Sequence, residues 1–143
     1  MTHINPYLNF SGNTEEAFNF YKSVFGGEFQ NLTRFGDTPE KDRIPAQERD
    51  KIMHIALPLG NGYILMATDA LDSMGHHLKT GNNYHLSVET GSKEEADKIF
   101  TGLSAGGKIT QPIKDQFWGA YFGSITDKYG INWMISYDKN RNN

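Results

Sequence analysis

The stretch Leu8-Asn9-Phe10, Glu15-Glu16-Ala17, Phe20-Tyr21, Gly26-Gly27 is written a second time, loosely, as Leu86-Ser87-Val88, Glu94-Glu95-Ala96, Ile99-Phe100, Gly106-Gly107. The offset drifts from 78 residues at the leucines through 79 at the glutamates to 80 at the glycines, as small loop insertions would cause. Two copies are too few for a solenoid. They indicate one domain built from two similar halves, and a seam between halves is a natural place for a ligand.

Working outward from the repeat, each half opens on a short alternating strand, Pro6–Phe10 and Tyr84–Glu89. A helix start comes next. Asn13 with Glu16, and Ser92 with Glu95, have the spacing of a capping box, in which a side-chain oxygen accepts from a free N–H of the first turn and the glutamate reaches back. Ala17, Phe20, Tyr21, Val24 and Phe25 form one apolar helix face, and Ala96, Ile99, Phe100 and Leu103 form the other. The glycine pairs close both helices, since glycine takes a left-handed C-cap at little cost. Strand-like runs come after them: Glu28–Phe35, Ile52–Leu59 and Tyr63–Thr68 in the first half, Lys108–Ile113, Ala120–Thr126 and Asn132–Tyr137 in the second. Gly60-Asn61-Gly62 and Asp127-Lys128-Tyr129-Gly130 are turns. Each half therefore reads β-α-β-β-β. The fold class is α+β, a single domain over 1–143 with module one at about 1–70, a polar linker at about 70–82 and module two at about 83–138. Segment 36–51 is a charged excursion, either a mobile lid or a surface loop.

The bulk properties narrow the function classes. A chain of 143 residues holds one well-buried core and not two ordinary domains. A net charge of −3 carries no basic footprint, so nucleic acid is not expected as a partner. Without cysteine there are no disulfides, thiolate metal sites or thiol nucleophiles. No run is long enough to span a bilayer, and the first residues lack the basic-then-apolar order of a signal peptide. A soluble, cytoplasmic protein is expected. Nucleotide-binding glycine motifs are absent, no cofactor-binding βαβ unit can be read, and the serines have no paired base.

The tandem βαβββ order resembles the vicinal-oxygen-chelate superfamily of glyoxalase I, bleomycin-resistance proteins, fosfomycin-resistance enzymes and extradiol dioxygenases. Its PhnB-like branch is the nearer likeness. The residues that carry it are Pro6-Tyr7-Leu8-Asn9-Phe10, the helix Glu15-Glu16-Ala17 to Phe20-Tyr21, Phe25-Gly26-Gly27, Met53-His54, Met66 through Asp69, Phe117-Trp118-Gly119 and Asp127-Lys128-Tyr129-Gly130-Ile131-Asn132-Trp133. The resemblance implies a curved mixed sheet with a cavity on its concave face, and pairing into a homodimer.

In metal-dependent relatives one divalent ion is held by His, Gln or Glu from the first and last strands of each half. Here those positions fall on Asn5 (or Pro6), Met66 (or Leu65), Asn83 and Met134. Amides and thioethers carry no negative charge, whereas hard and borderline ions require carboxylate or imidazole. No metal or other cofactor is therefore expected. The alternative is one divalent ion on displaced histidines, His3, His54 and His85, in a lyase or dioxygenase of the glyoxalase type. The plainer reading has His85 as an uncharged polar contact, His54 bonded within the sheet and His3 at a frayed terminus. The preferred function is metal-independent binding of a small planar or aromatic molecule, in parallel with relatives that protect by sequestration. Trp118 and Tyr121 would stack on it, with Tyr7 nearby; Asn5, Asn83 and His85 would orient it; Met66 and Met134 would supply adaptable walls. A non-catalytic regulatory dimer is a further alternative.

Overall fold

The computed structural model describes residues 2–140. Its first repeat runs β1 (Tyr7–Phe10), α1 (Thr14–Phe25), β2 (Gln30–Arg34), β3 (Ile52–Gly60) and β4 (Tyr63–Asp69). The second runs β5 (Leu86–Glu89), α2 (Lys93–Ser104), β6 (Lys108–Asp115), β7 (Tyr121–Thr126) and β8 (Asn132–Tyr137). Each repeat closes its own four-stranded sheet, in the orders β1-β4-β3-β2 and β5-β8-β7-β6. In both, the first strand runs parallel to the last and the other pairings are antiparallel. The chain divides after Lys79 into two compact units, one per repeat. This is the α+β tandem βαβββ architecture that the order of elements implies. Among the described residues no helix is long and apolar enough to cross a membrane.

In the first unit α1 packs on β3 and β4. Leu8, Phe10, Ile55, Leu57, Leu65 and Ala67 are buried beneath it. The buried helix face is Thr14, Ala17, Phe18 and Tyr21, with Phe20 only half-buried. Phe18 is the anchor that the sequence pattern passes over. It meets Phe10 edge-on at 6.4 Å and Tyr21 at 5.6 Å, and burial of such a ring contributes about 1.5–3 kcal/mol.

The start of α1 differs from the capping-box expectation. Asn13 is the N-cap residue but its side chain makes no capping bond. Buried Asp69, at the far end of β4, caps the helix instead. Its Oδ1 accepts from the Thr14 N–H at 3.0 Å and the Thr14 hydroxyl at 2.6 Å, and its Oδ2 accepts from the Ile52 N–H at 2.8 Å. A carboxylate is a stronger acceptor than an amide and complements the positive helix end, so it displaces Asn13. Glu15 serves elsewhere. The Arg34 guanidinium donates to both of its oxygens, at 3.0 and 2.8 Å, and holds its carboxyl below the usual range.

In the second unit the expected cap is present. The Glu95 N–H donates to the Ser92 hydroxyl at 3.1 Å, and Glu95 Oε1 accepts from the Gly91 N–H at 2.8 Å, one residue earlier than an ideal box. Ser92→Ala is expected to cost about 1 kcal/mol, read from the midpoint of urea unfolding. Ala96, Ile99, Phe100 and Leu103 are all buried, as their spacing predicts. The glycines after the helices do not act alike. Gly26 and Gly106 have φ of 79° and 74°, whereas the residue at the C-cap of α2 is Ala105 and Gly107 lies against Thr126 and Asp127.

Both units blunt the edge strand that comes after the helix. β2 has a register shift between Gln30 and Thr33, where Asn31 takes φ 56°, and β6 has two shifts and contains Pro112. Bulges and proline deny a flat edge to another strand. Segment 36–51 folds into three short 3-10 turns, Phe35–Asp37, Lys41–Arg43 and Ala46–Glu48. Phe35, Ile44 and Leu71 form a small buried cluster under it. The Gly36 N–H donates to the Arg49 carbonyl at 2.8 Å, the Arg49 side chain to the Ile44 carbonyl at 3.0 Å, and Ser73 pairs with Glu48. His76, of the adjacent histidine pair, accepts from the Leu71 N–H at 3.2 Å.

Candidate functional site

Residues opposite one another on neighbouring strands share a face, so the register decides which side chains meet. In the first unit Tyr7 pairs with Met66, Met66 with Ala56, and Ala56 with Gln30. These lie on the face away from α1, as do Asn9 and Thr68, which pair with each other. His54, two residues before Ala56 on β3, shares this face by alternation. Arg34 pairs with Ile52 while Thr33 pairs with His54, so Met53 is an extra residue on β3. It lets Ile52 and Ile55 both stay buried, while His54, between them, stays on the side away from the helix. Tyr7 Oη then lies 3.3 Å from His54 Nδ1, with ring centroids 5.8 Å apart. Burial pushes the Tyr7 phenol up from its ordinary value, so it remains protonated at neutral pH.

Asn5 sits at the mouth of β1, where its Oδ1 accepts from the Ile64 N–H at 3.1 Å. One of its polar groups is thus committed to β4. His3 is exposed and precedes β1.

In the second unit Ser87, Met134 and Ser124 form one cross-strand row on the face away from α2, and Glu89, Ser136 and Phe122 form the next. The Thr110 and Ser124 hydroxyls are 2.7 Å apart. Trp133 alternates with Met134 and points inward, its indole N–H donating to Asp127 Oδ2 at 2.9 Å. Asp127 Oδ1 accepts from the Tyr129 and Ile131 N–H groups, at 2.8 and 3.1 Å, which closes the β7–β8 turn. Asn83 and His85 are both exposed and lie just before β5, whose first paired residue is Leu86.

The β6–β7 turn carries the aromatics. The Gln116 N–H donates to the Ala120 carbonyl at 2.8 Å, the Gly119 N–H to the Gln116 carbonyl at 3.1 Å, and Gly119 takes φ 101°. Phe117 and Trp118 project from the tip, 97% and 54% exposed. Trp118 rests edge-on against Phe122 at 5.9 Å and against Phe117 at 5.1 Å.

Tyr121 does not join this group. It alternates with Phe122 and lies on the helix side, where its hydroxyl donates to Asp97 of α2 at 2.5 Å. Lys93 sits over its ring at 4.9 Å and pairs with Asp115 at 3.1 Å. The Asp97 carboxylate pushes its phenol up to about 12. Phe122, not Tyr121, lies on the face away from α2, in the row with Ser136. A signal for it exists: a glycine within a strand marks close approach of another element, and Gly123, packed under Phe100 of α2, sets Phe122 on the opposite face.

Among the described residues no three His, Cys, Asp or Glu side chains are grouped to hold a metal ion. His54 offers one nitrogen to Tyr7, and Asn5, Met66, Asn83 and Met134 present amides and thioethers. In each unit taken by itself these donors do not fit a hard or borderline divalent ion.

Comparison with known proteins bears on the whole chain. The profile of the Glyoxalase/Bleomycin resistance protein/Dioxygenase superfamily matches residues 3–135. Protein YjdN of Escherichia coli strain K12 is 28% identical over 141 residues, 93% of each chain. Protein PA1353 of Pseudomonas aeruginosa superposes with a TM-score of 0.85 at 36% identity, over 96% of this chain and 98% of its own. A PhnB protein of Bacillus cereus superposes with a TM-score of 0.77 at 28% identity, over 95% and 99%.

Proposed function

The chain belongs to the glyoxalase/bleomycin resistance protein/dioxygenase superfamily, in its PhnB-like branch, and on that premise we propose that it binds a small planar or aromatic molecule without a metal ion. One observation carries the reading: Trp118 stands at the tip of the β6–β7 turn, braced against Phe122, with about half of its surface open to a planar molecule. Braced aromatic rings lose little conformational freedom on binding and offer a large contact area with a polar handle. The adjoining face is neutral and adaptable, with Met134 between the hydroxyls of Ser87 and Ser124. Asn83 and His85, exposed ahead of β5, are proposed as polar contacts to the same molecule. Homodimer formation is part of the proposal and is read by light scattering during gel filtration.

The test uses intrinsic fluorescence, because the two tryptophans are distinguishable. Trp118 is exposed and Trp133 is buried, so their emission differs in wavelength. A panel of planar probes (a naphthoquinone, an acridine and a flavin) is titrated against the intact protein. At least one is expected to quench the exposed tryptophan selectively, and Trp118→Ala to weaken its binding about tenfold, or about 1.4 kcal/mol. Metal content per chain, measured on untagged protein purified without chelator, is expected to be far below one ion. Quenching by none of the probes, or near-stoichiometric zinc, nickel, manganese or iron, would overturn the proposal. The second result would favour a metal-dependent lyase or dioxygenase.

A further inference from the structure

We propose that Tyr7 and His54 form a proton-accepting contact on the first unit's sheet, one that takes an ionisable hydroxyl of a planar ligand, a phenol or an enol, as its anion. The inference rests on the small-molecule reading and assigns it a chemical class of ligand.

The pair is built by the fold. Alternation from Ala56 sets His54 on the face away from α1, and parallel pairing of β1 with β4 brings Tyr7 Oη to 3.3 Å from His54 Nδ1. His54 meets Tyr7 twice, through Nδ1 and ring to ring, and its Nε2 has no hydrogen-bond partner among the described residues. An imidazole nitrogen at a half-buried position, with its other nitrogen already engaged, is set up to meet a ligand atom.

The surroundings select the ligand. Tyr7 faces His54 from β1, Thr33 from β2, and one step along the register from Ile55 and Ala67 sets Thr68 beside it on β4. None of these is charged at neutral pH. The ion pair of Arg34, one residue beyond Thr33 on β2, with Glu15 involves α1 and is neutralised internally. Met66 and Ala56 supply an apolar bed of the kind a ring requires. A neutral site of this kind has no standing positive charge to attract a carboxylate. It can acquire one from the ligand's own proton.

The step balances. With Nδ1–H donating to Tyr7 Oη, Nε2 is the free base. The ligand O–H bond breaks and an Nε2–H bond forms, giving an imidazolium and an oxyanion. The new Nε2–H then donates to that oxygen as a charge-assisted hydrogen bond, while Nδ1–H, held by Tyr7 Oη, stabilises the imidazolium from its other side.

The experiment uses 4-nitrophenol, whose anion absorbs in the visible, and 4-nitroanisole, which lacks the proton. Bound nitrophenol is expected to ionise about one pH unit below the free compound. His54→Gln should abolish that shift and weaken nitrophenol binding about tenfold, with nitroanisole affinity unchanged. Tyr7→Phe should remove part of the shift, and circular dichroism checks that both variants are folded. A bound nitrophenol that ionises as it does in water, or a shift that survives in His54→Gln, would overturn the inference. If both probes bind equally well and independently of His54, the small-molecule reading stands and this inference falls. If neither binds, the small-molecule reading fails for this face and the inference fails with it.

Discussion

Replacing Asp69 with alanine is expected to destabilise the protein by about 3–5 kcal/mol, because three donors lose one buried acceptor. The Thr14 N–H and hydroxyl and the Ile52 N–H all end on this carboxylate, which is 1% exposed. Each buried donor left without a partner costs about 1–3 kcal/mol, and α1 also loses the negative charge at its N-terminus. Against a typical domain stability of about 5–15 kcal/mol the loss is a large fraction. Asp69→Asn keeps one carbonyl oxygen and should cost clearly less. Urea unfolding monitored by circular dichroism measures both, and a loss under about 1 kcal/mol for the alanine variant would show that the cap is not structural. Asn13→Ala is the internal contrast, since that side chain makes no capping bond.

The second large effect is at Gly123. Strand propensity alone says that alanine should be as good as glycine there or better. The packing says the opposite. A Cβ at this position would stand 2.7 Å from Ile113 Cα and 2.7 Å from Phe100 Cε2. The first of these is backbone of the neighbouring strand and cannot rotate away. Gly123→Ala is therefore expected to cost about 2–3 kcal/mol through strain in β6 and β7. Gly91→Ala, where the nearest atom is Glu95 Oε1 at 3.9 Å, should be close to neutral. A stabilised Gly123→Ala in thermal unfolding would refute the close-packed arrangement of α2 on β7.

Both sites show where reading along the chain stops. α2 was legible because everything that makes it a helix lies within it: Ser92 and Glu95 at the start, and apolar residues at helical spacing through Leu103. α1 was legible as a helix, yet its cap was not, because the acceptor arrives from Asp69, 55 residues away. Tyr121 and Phe122 are adjacent aromatics, and alternation assigns them to opposite faces without saying which is which. The close approach of Phe100 to Gly123 decided it. His54 was ambiguous for a different reason. One extra residue, Met53, breaks the alternation between Ile52 and His54, and nothing in Ile52-Met53-His54-Ile55 announces the bulge.

The sequence by itself determined the repeat, the order of elements in each half, the turns and the absence of cysteine chemistry, because periodicity and turn residues act over a few positions. Only the tertiary structure decided which side chains share a face, which carboxylate caps which helix, and that Tyr7 meets His54 while Tyr121 turns away to Asp97. Those outcomes depend on register between strands far apart in the chain, where a shift of one residue exchanges the two faces of a sheet.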